Sequence, residues 1–134
     1  MIVVDTSVLV AILKGEPEAS SFVDHIESRP GSCMSAGSLL ECGIVIGSRA
    51  GEAGLRAVQE LCASLLLEVV PVDAAQSRLG SEAFLRYGRG ARNRAQLNFG
   101  DCFAYALAKT RNLPLLFKGN DFVHTDVRPA LPPA

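Results

Sequence analysis

Four acidic residues in this 134-residue chain stand where their carboxylates can meet. Asp5 closes the β-branched run Ile2-Val3-Val4, and Asp121 follows the apolar stretch Leu113-Pro114-Leu115-Leu116-Phe117. Glu41 and Asp101 each fall near the start of a segment with helical apolar spacing. In open α/β sheets ligands bind beyond the carboxyl ends of the strands, and a helix that starts there presents its first turn to the same rim. Carboxylates a few ångströms apart repel one another and raise each other's proton affinity, so such a cluster needs a cation. A hard divalent ion, Mg²⁺ or alternatively Mn²⁺, prefers oxygen ligands and keeps several waters. It can convert one of them to a hydroxide nucleophile beside a phosphoryl group. The chemistry implied is phosphodiester hydrolysis. Spacing alone is weak support for it, because strand-end aspartates are common and scattered acids are ordinarily solvated surface.

A basic segment complements the acids. Arg86, Arg89, Arg92 and Arg94 occur with no acid between Glu82 and Asp101, and guanidinium forks suit phosphate oxygens. Such contacts position a strand without reading its bases. A solvated loop accounts for the same arginines equally well. Tyr87 and Phe99 flank the segment and offer faces on which unpaired bases can stack, yet aromatics beside helical apolar positions are more often core, and both are expected there. Lys118 suits either a substrate phosphate or the end of a strand. His25 and His124 have no second histidine at ligand spacing and are expected at the surface. Cys102 adjoins Asp101 but has no evident activating partner, so packing is preferred to a nucleophilic role.

These residues must be positioned by the elements around them. Ile2-Val3-Val4 predicts a strand, Asp5-Thr6-Ser7 a turn, and Val8, Leu9, Ile12 and Leu13 a helix capped by Thr6 or Ser7 and ended by Gly15 and Pro17. A helix is expected from about Glu18 to Ser28, a brief strand at Cys33-Met34-Ser35, and a helical face at Leu39, Leu40, Ile44 and Val45. Gly51 to Gly54 punctuate the chain before a further helical stretch from Leu55 to Leu65, which leads into a strand within Leu67 to Val72. Asp73 can cap a helix through about Tyr87, a loop covers Gly88 to Arg94, and a helix runs from about Phe99 to Thr110. Leu113 to Phe117 predicts a buried strand, Phe122 to Val127 a short edge element, and Pro129 to Ala134 a loose tail. Helices alternating with short apolar strands argue for an α/β fold with a mostly parallel sheet in one domain spanning residues 1–134.

Composition bounds the function classes. The chain is 49% hydrophobic and 20% charged, which is enough apolar material for a core and too little charge for an expanded polymer. Lys14, Glu41 and Glu68 interrupt the longest apolar candidates for a membrane span, and Met1 to Asp5 has no basic n-region, so a cytoplasmic protein is expected, with no membrane partner. Cys33, Cys42, Cys62 and Cys102 form no C-x-x-C pair and are expected as reduced, mostly buried thiols. The net charge of −1 hides an asymmetry: residues 1–82 carry five Lys/Arg and eleven Asp/Glu, residues 83–134 eight and three.

The wording around the acids is more specific than their spacing. V-V-D-T-S at 3–7, L-L-E-C at 39–42, L-N-F-G-D-C at 97–102 and L-L-F-K-G-N-D-F at 115–122 together resemble the PIN-domain family, and within it the VapC toxins of bacterial toxin–antitoxin systems. The resemblance runs from Asp5 to about Asp126. It implies a PIN-like three-layer α/β/α sandwich with about five strands, and an Mg²⁺-dependent endoribonuclease that forms a homodimer and is inhibited by a cognate VapB antitoxin. Residue by residue it implies Asp5, Glu41, Asp101 and Asp121 as the catalytic acids. Asp5 and Asp101 would be metal ligands, Thr6 and Ser7 would support Asp5 by hydrogen bonds, and Asp126 falls outside the core set.

Two other classes fit less well. A phosphatase or receiver domain built on a strand-end aspartate lacks its usual second acid, since Asp5 is followed by Thr6 and Ser7. A non-catalytic PIN-like module that docks a basic protein segment would be free to lose its carboxylates, whereas all four are present.

Overall fold

The computed structural model describes residues 1–132. Its elements, in chain order, are β1 (Val3–Val4), α1 (Thr6–Leu13), α2 (Ala19–Glu27), β2 (Cys33–Ser35), α3 (Ala36–Ser64), β3 (Glu68–Val70), α4 (Ala74–Tyr87), α5 (Phe99–Arg111) and β4 (Leu115–Leu116). The strands form one parallel sheet in the order β3-β2-β1-β4. A parallel sheet must be covered on both faces, and the strands are apolar at every core position accordingly. Successive side chains point to opposite faces. Val4, Met34 and Leu116 thus face a core with Leu9, Phe22, Ile26 and Ile46 from α1, α2 and α3. Val3, Cys33 and Leu115 face a second core with Ala83, Tyr87, Ala104 and Leu107 from α4 and α5. This is the α/β fold with a parallel sheet expected from the alternating pattern, in the three-layer α/β/α form that the resemblance implied.

The sheet has four strands. A fifth position beside β4 is taken by a single backbone pairing between Leu115 and Pro129. The stretch from Pro129, expected as a loose tail, is therefore fixed as far as Leu131: Leu115 N–H donates to Arg128 O and Ala130 N–H to Leu115 O, each at 2.8 Å, and Ala130 and Leu131 pack on the first core. Residues 133 and 134 of that expected tail lie outside the described residues. Phe122 to Val127, expected to add an edge element, turns instead, with Phe122 and Val127 buried as plugs under it.

The helix ends have identifiable causes. Asp5 itself caps α1 by accepting from Ser7 N–H, displacing Thr6 and Ser7 from the capping role. The expected break at Gly51 to Gly54 is present: α3 is two helical stretches joined at a kink at Gly51, whose φ of 61° and ψ of −148° lie outside the helical region and suit only a residue without a Cβ. Among the described residues no helix is long and apolar enough to cross a membrane.

Candidate active site at the carboxyl edge of the sheet

The chain runs β1, β2, β3 to one side of the sheet and then returns to place β4 on the other side of β1. The crevice beyond β1 and β4 is the switch point at which α/β sheets bind ligands. Asp5 follows β1 directly, its N–H held by Leu116 O of β4 at 3.0 Å. Its side chain is 3% exposed. Ser7 donates to Asp5 Oδ2 twice, from Oγ at 2.6 Å and from the backbone N–H at 3.0 Å. Ser7 Oγ in turn accepts from Lys118 N–H at 3.0 Å, so the turn that follows β4 locks the hydroxyl that locks the carboxylate. Asp5 Oδ1 is buried with no hydrogen-bond partner.

The other acids lie near enough for their charges to be felt from one to the next. Asp101 is 8% exposed and sits in the first turn of α5, where it and Asn98 form a reciprocal capping box: Asp101 N–H donates to Asn98 Oδ1 and Asn98 N–H to Asp101 Oδ2, both at 3.0 Å. Asp121, half-buried after β4, presents its carboxyl to that of Asp101. Glu41, half-buried on α3, lies close enough to Asp5 to be felt electrostatically, and its carboxylate rests against the bare Cα of Gly100, where a Cβ would overlap it.

The electrostatics follow from this crowding. Burial raises Asp5 to a pKa of about 6; the two Ser7 bonds work against the rise, and Glu41 adds to it. Asp101 is held well above the ordinary carboxylate range, first by burial, then, against the opposing Asn98 N–H, by the charges of Asp5 and Asp121. The nearest lysine gives no relief, since Lys118 Nζ pairs with Glu16 at 2.7 Å and Glu18 at 3.1 Å. Two oxygen-rich side chains fixed from one side, an unpartnered buried Oδ1 and carboxyls with no cation between them fit a hard divalent ion. Among the described residues no three Asp, Glu, His or Cys side chains stand close enough to enclose an ion as they are placed.

Several expectations need correction. Thr6 supports Asp5 through its backbone N–H and not through its hydroxyl, which donates to Ser38 O at 2.8 Å, tying α1 to α3. Arg86 belongs to α4, with its guanidinium 5.5 Å from the Tyr87 ring centroid, whereas Arg89, Arg92 and Arg94 are exposed on the loop. Tyr87 is core, as expected, but Phe99 is 77% exposed. His25 is half-buried, with Nε2 enclosed and unpartnered; His124 is exposed as expected. Asp126 is engaged elsewhere, accepting from Tyr105 Oη at 2.7 Å and pairing with Lys109 at 3.1 Å. The cysteines are all free, three of them buried, and burial pushes the Cys102 thiol up to about 11, so it is no ready nucleophile. Asn98 and Gly100 were missed as site residues, although N-x-x-D at 98–101 is a capping signature.

A parallel three-layer domain with buried carboxylates at its switch point is the framework of a PIN domain, and the PIN-domain family model matches residues 2–128. Ribonuclease VapC28 of Mycobacterium tuberculosis is 46% identical over 129 residues, covering 96% of this chain and 97% of that one. Ribonuclease VapC30 of the same organism is 46% identical over 125 residues, covering 93% and 95%. The chain therefore belongs to the PIN-domain family, among its VapC ribonucleases. Solved structures share the fold. M. tuberculosis VapC20, a sarcin-ricin-loop-cleaving toxin, has a TM-score of 0.74 at 20% identity, covering 96% of this chain and all of that one. The VapBC2 complex of Rickettsia felis has a TM-score of 0.69 at 16% identity over 92% and 91%.

Proposed function

We propose that the chain hydrolyses RNA phosphodiester bonds at the rim formed by Asp5, Glu41, Asp101 and Asp121, with Mg²⁺ or Mn²⁺ held by Asp5 and Asp101. The observation that carries this reading is Asp5 Oδ1, enclosed and unpartnered while its sister oxygen is fixed twice by Ser7. A buried polar atom left without a partner costs about 1–3 kcal/mol, more if charged, and a cation at that point removes the cost. When bound, a divalent ion supplies Lewis-acid stabilisation of phosphoryl charge and lowers the pKa of a water. The chain's own contribution is preorganisation. Ser7 and Lys118 N–H hold Asp5, and Asn98 N–H holds Asp101. The less buried Glu41 and Asp121 are left to orient water and the phosphate oxygens. Calorimetric titration with Mn²⁺ tests this: binding is expected in the wild type and lost in Asp5→Asn, whereas a docking module has no need of the ion.

Glu41 depends on Gly100, which gives a second expectation. Gly100→Ala adds a methyl that the flexible Glu41 terminus must vacate, while alanine in the first turn of a helix is stabilising or neutral. Thermal stability is expected to hold and RNA cleavage to fall by roughly tenfold or more, about 1.4 kcal/mol or more of lost positioning. Unchanged cleavage would remove Glu41 from the site.

The exposed Arg89, Arg92 and Arg94 are read as phosphate contacts. Replacing all three by Ala is expected to weaken RNA binding and to lower the slope of log affinity against log salt by up to about 2, at roughly 0.7 per contact for a single strand. An unchanged slope would leave the loop merely solvated. On the partner side, we propose a VapB-type antitoxin and a homodimer. Membership of the family and the shared fold of a solved toxin–antitoxin complex from Klebsiella pneumoniae support the first. The apolar side chains of Leu40 and Ile44, exposed along α3, leave surface available for such contacts.

A further inference from the structure

We propose that Phe99 is a stacking platform for an unpaired nucleobase next to the bond that is cut; this rests on the RNase reading above. Phe99 opens α5 and is 77% exposed, and it shares one apolar patch with Phe84, itself 37% exposed, a contiguity that marks a binding surface where a single exposed side chain does not. It is also rigidly placed. Its ring meets that of Phe103 edge-on, with centroids 5.1 Å apart, and Phe103 is seated against Gly37 at the start of α3, where a Cβ would collide with it. The position adjoins the acids: the next residue, Gly100, is the one on which the Glu41 carboxylate rests, and Asp101 follows. Phe99 also forms the lip of an apolar groove of about 280 Å³ between α4 and α5, whose other walls include Val72, Gly80 and Phe84.

The charge nearby favours nucleic acid over a second copy as the occupant. The arginine loop is closed at its base by backbone pairing of Gly88 with Leu97, two residues before Phe99. A two-fold contact through this face would bring like-charged loops of both copies towards one another, because such an interface uses the same patch on each subunit. A single-stranded polyanion brings phosphates to the arginines and π-faces to the ring, the combination by which single strands are held. Stacking on a phenyl face tolerates any base, so Phe99 sets where the strand sits more than which sequence it carries.

The test uses the full chain and short single-stranded RNAs containing its preferred cut site. Phe99→Ala is expected to lower kcat/KM by roughly ten- to a hundredfold, chiefly through KM, with Phe99→Tyr restoring it. An RNA abasic beside the cut should lose as much in the wild type and little more in Phe99→Ala. The chain has no tryptophan, so Phe99→Trp provides a single tryptophan that can be excited apart from the tyrosines. In EDTA, its emission is expected to be quenched by the intact RNA and not by the abasic one. Wild-type kinetics in Phe99→Ala, or emission indifferent to the base, would overturn the proposal. So would a Phe99→Ala variant that loses dimerisation by sedimentation while binding RNA normally, since the face would then be a contact between copies. If the wild type cleaves no RNA, the RNase reading fails instead, and the fluorescence titration still reports whether a base stacks there.

Discussion

Asp5→Asn is expected to abolish RNA cleavage, by about a thousandfold or more, and at the same time to raise the melting temperature of the metal-free protein at pH 8. The first effect follows if Asp5 is a ligand, because loss of one anionic oxygen forfeits several kcal/mol of charge stabilisation. The second follows from the geometry. Asparagine keeps an oxygen to accept from Ser7 N–H and Oγ and remains a good helix cap, so the start of α1 is preserved. Its amide then points where the unpartnered Oδ1 lay, towards the negative Glu41, and no buried charge is left to oppose folding. Loss of activity with gain of stability is the signature of a residue held in a costly state for function. Kinetic assay and a thermal melt on the same preparation check both halves. A variant that cleaves normally, or one that is inactive because it is unfolded, would contradict the assignment.

Acidification is expected to stabilise the metal-free protein. Asp5 ionises at about 6 in the fold against an ordinary value of 3.8, raised mainly by burial, and Asp101 is displaced in the same direction, again mainly by burial. Between pH 4 and 6, and further up for Asp101, the native state therefore holds protons that the unfolded chain has released. Stability consequently falls as pH rises through this window and is highest towards its acid end. Each unit of displacement corresponds to about 1.4 kcal/mol, enough to move the melting temperature by several degrees in a domain of this size. Mn²⁺ at pH 8 is expected to reverse the loss by replacing the protons, since an ion that binds only the native state stabilises it. Melts in EDTA from pH 5 to 8, with and without added excess Mn²⁺, check this. A melting temperature that rises with pH in EDTA would show that the carboxylates are not strained against one another.

The elements that place the acids were legible because each has a strong local cause. Val3 and Val4 are β-branched and end at an aspartate, the run Leu115-Leu116 is followed by Gly119, and the helical stretch from Phe99 to Thr110 carries Asp101 in its first turn. What could not be read depends on choices among chemically similar neighbours. Asp5, Thr6 and Ser7 all carry oxygens able to cap α1, and only the docking of Thr6 on Ser38 O and of Ser7 on Lys118 N–H leaves the cap to Asp5. Phe99 stands beside helical apolar positions, so the sequence assigns it to the core. Cover is given to Phe103, which rests against Gly37 at the start of α3 and is half-buried, while Phe99 one turn earlier stays exposed. Nor does Pro129-Ala130-Leu131 carry a strand signal: a proline cannot donate to a sheet, yet its neighbours can pair at the free edge of β4. The site residues missed, Asn98 and Gly100, act through a backbone bond and through a missing side chain, neither of which is conspicuous in a search for acids and bases.

The most direct test of the central claim is cleavage of total cellular RNA by the purified chain in Mg²⁺, in EDTA, and with Asp5→Asn, with the product ends sequenced. Discrete ends that appear in Mg²⁺ and vanish in both controls are the predicted result; no cleavage by folded, metal-loaded, antitoxin-free protein would contradict it and leave the carboxylate rim as a docking surface.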